Sequence, residues 1–289
     1  MSCRGWASRA SGPAGPVARS YGWARRRGSR VTRLAGGGLA IAALSAWAAG
    51  AGKVGTFVRG FPSPGDYPEG LAYDGHYLWS NNYDNGHLYK VDPSTGATVG
   101  DYLVDRLPVR PEGLAWDGTY LWTIDDGSDL ITKVLPTANS VQVVESFPKP
   151  DGSGPARGIE WDGHHLWLAC WSADVGGTAQ LYEIDATTHA AIRSVPLPIY
   201  WVEDLAWDGR YLWSSDWLFD IGFAIDPTTG DTLHTYRPPG PHPVGQAWDG
   251  THLWTSDTVH DSLYALDISE ARTGVRAVSW SEVKRTYGR

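Results

Sequence analysis

Two positions of a segment that appears five times along the chain carry polar side chains in most of the copies. One position opens each copy, and the other lies three residues after the tryptophan that closes it. The first set is Glu69, Glu112, Arg157, Glu203 and Val244, and the second is Asn82, Asp125, Cys170, Asp216 and Asp257. Carboxylates in such sets can bind a cation, an amine or a peptide ammonium end, and neighbouring carboxylates can act as general acid and base. The alternative is a hydrated acidic rim whose residues only end strands.

The five copies are similar enough to define a repeat. They read EGLAYDGHYLW (69–79), EGLAWDGTYLW (112–122), RGIEWDGHHLW (157–167), EDLAWDGRYLW (203–213) and VGQAWDGTHLW (244–254). The closing tryptophans are 43, 45, 46 and 41 positions apart. Strand-like, turn-rich units of this length are typical of four-stranded propeller blades. The sequence therefore predicts an all-β, five-bladed β-propeller of antiparallel blades, whose channel mouth gathers the two polar sets.

A two-residue hairpin turn is the simplest interpretation of the Asp-Gly pair in each copy. This turn would pair Tyr73 with His76 and Glu160 with His165. The repeated aspartates then serve the turn, and a calcium role for them is disfavoured because a calcium cage needs several converging oxygens.

Tryptophan is abundant, with 16 residues in 289. The five closing tryptophans and Trp116, Trp161, Trp207 and Trp248 fall on strands at core positions. Trp171, Trp201 and Trp217 are extra aromatic residues at the predicted mouth, where acids beside an aromatic wall suit a small-molecule or peptide pocket. The third and fourth copies also depart from the repeat at Glu160, Asp204 and Cys170.

The chain divides into three segments. Residues 1–51 combine basic residues with the uncharged run 34–51, as in an export leader, so we expect a secreted or periplasmic protein without a membrane partner once the leader is cleaved. Residues 52–270 form the propeller, with 55–61 as the strand that closes the ring and 275–280 as the competing candidate. Residues 271–289 form a tail with the capping-box pattern of a short helix.

Charge restricts the partners. The chain has 24 Lys and Arg against 32 Asp and Glu, and eight of the arginines lie in residues 1–52, which contain no acid. The remaining body is strongly acidic and would repel nucleic acid. A small molecule, a peptide or a protein remains as the partner of what we expect to be a monomer.

The Glu-Gly-Leu-Ala-aromatic-Asp-Gly units resemble those of exported bacterial propellers related to glutaminyl cyclases (glutamine cyclotransferases), over residues 55 to about 268. The resemblance implies five blades and a mouth pocket that cyclises an N-terminal glutamine. Glu69 and Glu112 match the Glu-Gly-Leu part, whereas Ser80, Asn81, Asn82 and Tyr83 stand where that family has Glu-Ser-Thr-Gly. A more remote resemblance to gluconolactonase-type propellers implies a divalent cation bound by a Glu-Gly glutamate, and NHL-type propellers share the periodicity.

The sequence favours an exported binding module with an acidic, aromatic-flanked mouth. The alternatives are a glutaminyl-cyclase-like enzyme and a metal-dependent lactonase. No cofactor is indicated with certainty, and a divalent cation stays open.

Overall fold

Five four-stranded antiparallel sheets make up the part of the chain that the structure describes, as the repeat predicts. The computed structural model describes residues 55–104, 110–125, 127–172 and 177–273, so the leader (1–51) and the capping-box pattern of the tail lie outside the described residues. The first blade consists of β2 (Pro68–Tyr73), β3 (Leu78–Asn82), β4 (His87–Val91) and β5 (Thr98–Leu103). The second consists of β6 (Pro111–Trp116), β7 (Leu121–Asp125), β8 (Leu130–Pro136) and β9 (Val141–Pro148).

The third and fourth blades follow the same order. The third consists of β10 (Ala156–Trp161), β11 (Leu166–Cys170), β12 (Gln180–Ile184) and β13 (Ala191–Pro196). The fourth consists of β14 (Ala206–Trp207), β15 (Leu212–Asp216), β16 (Ile221–Ile225) and β17 (Thr232–Tyr236). Its inner strand β14 has two residues where the other inner strands have six.

The fifth blade joins the two ends of the propeller. It contains β18 (Pro243–Trp248), β19 (Leu253–Asp257), β20 (Ser262–Asp267) and, as its outer strand, β1 (Thr56–Pro62). β1 pairs antiparallel with β20, and the inner strands β2, β6, β10, β14 and β18 neighbour one another around a ring. The prediction that residues 55–61 close the ring is therefore confirmed. Closure matters because without β1 the fifth blade would have three strands and β20 would be its unpaired edge.

A short helix, α1 (Ser269–Thr273), follows the last strand. Ile268 and Ala271 are buried against the core between the fourth and fifth blades. None of the helices in the described ranges combines the length and apolarity needed to span a bilayer.

The predicted strand register is wrong by two residues. Tyr73 pairs with Leu78 and Ala72 with Trp79, so residues 74–77 form a four-residue loop instead of a two-residue turn. Asp74 explains the difference, because its Oδ1 accepts hydrogen bonds from the backbone N–H groups of His76 (2.9 Å) and Tyr77 (2.7 Å). An aspartate that caps its own loop in this way stabilises a wider turn than Asp-Gly alone suggests.

The same aspartate also fixes the closing tryptophan of its blade. In each copy the Asp Oδ2 accepts a hydrogen bond from the indole N–H five residues later, at 2.8–3.0 Å. These pairs are Asp74–Trp79, Asp117–Trp122, Asp162–Trp167, Asp208–Trp213 and Asp249–Trp254. All five tryptophans are at most 2% exposed. Each copy of the repeat thus supplies both a large ring that is buried in the core and the aspartate that accepts a hydrogen bond from its N–H.

Candidate functional site at the channel mouth

The inner strands begin, and the second strands end, at the same end of the channel. Cross-strand pairs show this in four blades: Pro68–Asn82, Pro111–Asp125, Ala156–Cys170 and Pro243–Asp257. We call this end the glutamate mouth and define it by Glu69, Glu112, Arg157 and Glu203. Both predicted polar sets lie there, as the antiparallel blades require.

The glutamates of this mouth are close enough to interact electrostatically. Glu112 and Glu203 are 1% and 3% exposed, and Glu69 is half-buried. Arg157 Nη1 lies 2.5 Å from Glu112 Oε1. Burial raises the pKa of Glu69 well above its ordinary value, and the carboxylates of Glu112 and Glu203 raise it further, whereas Arg157 lowers it. Glu69 is therefore biased towards its protonated form.

The second polar set holds the backbone of the loops that follow it. Asn82, Asp125, Asp216 and Asp257 are at most 2% exposed, and each accepts backbone N–H groups two or three residues further on. Asp125 also accepts the N–H of Arg110 at 2.8 Å. Turn capping accounts for these contacts, and a ligand-binding role for the four residues stays a prediction.

Cys170, the fifth member of this set, is 1% exposed. Burial raises the pKa of its thiol to about 12. The thiolate needed for nucleophilic chemistry is thus strongly disfavoured at neutral pH.

Asp204 fills the centre of the channel just beneath the glutamate mouth. Its Oδ2 accepts the backbone N–H of Leu71 (2.9 Å) and Gln246 (3.3 Å), and its Oδ1 accepts those of Leu114 (3.3 Å) and Ile159 (3.4 Å). The N–H of its neighbour Leu205 also donates to it. One carboxylate thus receives a donor from all five blades. Burial raises the pKa of Asp204, while the donated N–H groups act in the opposite direction.

Glycine occupies the equivalent position in the other four blades because the inner strands touch there. A Cβ on Gly70, Gly158 or Gly245 would lie 2.2–2.4 Å from a backbone oxygen of the neighbouring blade. A Cβ on Gly113 would lie 2.5 Å from Asp204 Oδ1. The ring therefore has space for one side chain in this layer, and Asp204 takes it.

Aromatic residues form a wall beside the glutamate mouth. The rings of Trp171 and Trp201 stack with centroids 4.5 Å apart, and Trp217 lies 5.4 Å from Trp201. The ring of His242, a residue that no sequence pattern singles out, has its centroid 4.6 Å from that of Trp217. The indole N–H of Trp171 is buried and has no hydrogen-bond partner among the described residues. The three predicted contact tryptophans are thus brought together, on the same end as Glu203.

Glu160 and His165 do not pair as predicted. Glu160 lies opposite Trp167, because the loop is two residues wider than expected. His165 Nδ1 instead lies 2.9 Å from Glu183 Oε1 on β12. The residues described here include no group of three or more His, Cys, Asp or Glu side chains placed to hold a metal ion.

Comparisons with known proteins identify the fold. No protein-family model and no curated protein matches the sequence. Among solved structures, the glutaminyl cyclase of Myxococcus xanthus superposes with a TM-score of 0.60 at 17% identity, over 78% of this chain and 100% of that chain. A chain of the nidogen/laminin complex gives a TM-score of 0.51 at 16% identity, over 74% of this chain and 81% of that chain. At these identities the likeness establishes the fold that this chain shares with them.

Proposed function

We propose that the glutamate mouth binds the ammonium end of a small amine or a peptide. The observation that carries this proposal is the convergence of Glu69, Glu112 and Glu203, from three different blades, on one end of the channel, where Glu112 and Glu203 are buried and raise the pKa of Glu69. Buried carboxylates that repel one another cost stability, and a bound cation relieves that repulsion. Arg157 forms an ion pair with Glu112 and so neutralises part of the negative charge. Glu69 is then the glutamate of this mouth whose charge we expect to respond most to a bound cation.

The aromatic wall favours a ligand that has an apolar or planar group beside its charged ammonium group. Trp171, Trp201 and Trp217 are half-buried, so each keeps part of its ring accessible. An amine attached to an apolar or planar group, as at a peptide N-terminus, therefore fits both parts of the site.

A second candidate is the glutaminyl cyclase reaction, which the fold of the Myxococcus xanthus enzyme brings into consideration. In that reaction the α-amino nitrogen attacks the γ-carboxamide carbon, the carbon–nitrogen bond of the amide breaks, and ammonia leaves with an added proton. A specific observation favours it: the raised pKa of Glu69 gives a carboxylic acid that can supply this proton. For the lactonase alternative, the described residues offer no such specific observation.

The place of action is also a proposal. The basic, apolar leader of residues 1–51 supports export from a bacterial cytoplasm, and the acidic body argues against nucleic acid as a partner. We propose a monomer that meets its ligand outside the cytoplasm.

Calorimetric titration tests the binding function directly. The probes are the peptide Gln-Ala-Ala-amide, Ala-Ala-Ala-amide and their N-acetylated forms. Both free-amine peptides should bind at least tenfold more tightly than the acetylated ones, and Glu69→Gln should abolish the difference. Glu145→Gln, on the outer strand β9, is the matched control and should bind like the parent. Equal affinity for free and acetylated peptides would exclude ammonium recognition.

Ammonia release separates the two candidates. If the chain is a cyclase, Gln-Ala-Ala-amide yields ammonia and the Glu69→Gln variant does not. If it only binds, the peptide is recovered intact after prolonged incubation at the same protein concentration.

A further inference from the structure

The opposite end of the channel carries a second ring of side chains. The last residue of each inner strand is aromatic and half-buried, and the five are Tyr73, Trp116, Trp161, Trp207 and Trp248. We call this end the aromatic mouth. From Glu69 to Tyr73 the strand advances about 13 Å, at roughly 3.3 Å per residue. The Asp204 carboxylate lies between the two mouths, so they are separate sites.

A small cavity of about 40 Å³ opens at the aromatic mouth. Tyr73, Trp116, Trp207, Trp248 and Glu160 line it. The cavity exists because the preceding position of the inner strand is alanine in four blades, including Ala72 and Ala247. The third blade has Glu160 at this position, so a single acid stands among small residues beneath aromatic rings.

Glu160 has backbone donors but no cationic partner. Its Oε1 accepts the N–H of Trp161 at 2.9 Å, and the N–H of Trp207 also donates to it. No lysine, arginine or histidine of the described ranges lies within 4 Å of its oxygens. Burial raises the pKa of Glu160 well above its ordinary value, and the nearby carboxylates of Asp204 and Asp162 act in the same direction.

The electrostatic surroundings favour a cation in this cavity. The carboxylates of Asp204 and Asp162 act on Glu160, and those of Asp249 and Asp74 act on Tyr73. Lys90 Nζ lies 3.2 Å from Asp74 Oδ2, and His252 Nδ1 lies 3.2 Å from Asp249 Oδ2, so both of these side chains are already paired with an aspartate. The faces of tryptophan and tyrosine rings add attraction for a cation by their quadrupole, most strongly where water is excluded.

We propose that the aromatic mouth binds the cationic head of a small organic amine of about the size of methylammonium. Glu160 accepts hydrogen bonds from the ammonium group, and Trp116, Trp207 and Trp248 enclose its methyl or methylene carbon. The cavity volume is close to that of one or two water molecules, so the head enters and the remainder of the ligand stays outside. This site does not depend on the function proposed for the glutamate mouth.

Titration at constant ionic strength tests the proposal, with methylammonium as the cation and methanol as the neutral analogue. Methylammonium should quench tryptophan fluorescence saturably, whereas methanol should not. Glu160→Ala restores the residue of the other four blades and should weaken binding at least tenfold. Glu160→Gln keeps the shape of the side chain, so it serves if Glu160→Ala does not fold, and it should weaken binding similarly.

Two further variants assign the response to one mouth. Trp116→Leu should weaken methylammonium binding, and Glu145→Gln, on the outer strand β9, should leave it unchanged. Equal responses to methylammonium and methanol would overturn the proposal, as would full binding by both Glu160 variants. Loss of binding in Glu69→Gln alone would assign the cation to the glutamate mouth and also overturn it.

Discussion

The carboxylate of Asp204 accepts a hydrogen bond at 2.9 Å from the backbone N–H of Leu71, which lies 133 positions earlier and on another blade. The same carboxylate takes N–H donors from the other inner strands, so a side chain supplies the contact that closes the centre of the ring. Blades that meet only through apolar contacts would leave these five donors buried and unsatisfied.

Asp204→Asn should therefore lower the free energy of unfolding by about 2–4 kcal/mol, because its amide nitrogen would face N–H donors that need an acceptor. Urea denaturation followed by tryptophan fluorescence measures the change. Asp151→Asn, at an exposed position, should change stability by less than about 0.5 kcal/mol. If Asp204→Asn were as stable as the parent, Asp204 would not be what satisfies the five donors.

The aspartates of the repeated turns should make the free energy of unfolding depend on pH in the acidic range. Burial acts to raise the pKa of Asp249, but hydrogen bonds from His252, Trp254 and Thr251 outweigh it, so its pKa lies below the ordinary value of 3.8. A carboxylate with a lowered pKa contributes stability above pH 3.8, and this contribution is lost as the pH falls through the folded-state pKa.

Asp249→Asn should cost about 1–3 kcal/mol at pH 7, because the turn and the indole N–H lose a charged acceptor. The difference from the parent should shrink as the pH falls below about 3.8 and through the folded-state pKa, because Asp249 then becomes a neutral acid. Urea denaturation between pH 3 and pH 7 measures this. Asp84→Asn, at an exposed position, provides the control, and a difference that is constant with pH would contradict the assignment.

The sequence predicts the architecture because the repeat copies the same short-range interactions five times. It misplaces the register, since Asp-Gly alone indicates a two-residue turn, whereas Asp74 caps a four-residue loop. It identifies Asp204 as a departure from glycine, but the meeting of five donors on one carboxylate requires the closed ring. Glu160 is also visible as a departure, and its aromatic surroundings depend on the corrected register.

Glu69 should lower the free energy of unfolding of the ligand-free protein as the pH rises. Its pKa is raised in the folded state, first by burial and then by Glu112 and Glu203, so its contribution to stability is present in acid and is lost as the pH rises through the folded-state pKa. Glu69→Gln removes the buried charge and should raise the free energy of unfolding by about 1–2 kcal/mol at pH 8, with little effect at pH 4.

The combination of a stability gain with the loss of peptide binding is typical of a residue retained for function. Thermal unfolding at the two pH values, run beside Glu145→Gln, measures the gain. A variant less stable than the parent at pH 8 would mean that Glu69 serves the fold instead.

The closing strand β1 is held to the fifth blade by side-chain packing as well as by backbone pairing. Phe61 packs on Trp254 with ring centroids 5.5 Å apart, and β1 pairs with β20 along its length. Phe61→Ala should lower the free energy of unfolding by about 2–4 kcal/mol, because it removes a ring that covers the core of the fifth blade. Phe57→Ala, on the same strand but 39% exposed, should cost less than about 1 kcal/mol. Equal effects in urea denaturation would show that β1 is held by its backbone pairing with β20 and not by the packing of Phe61.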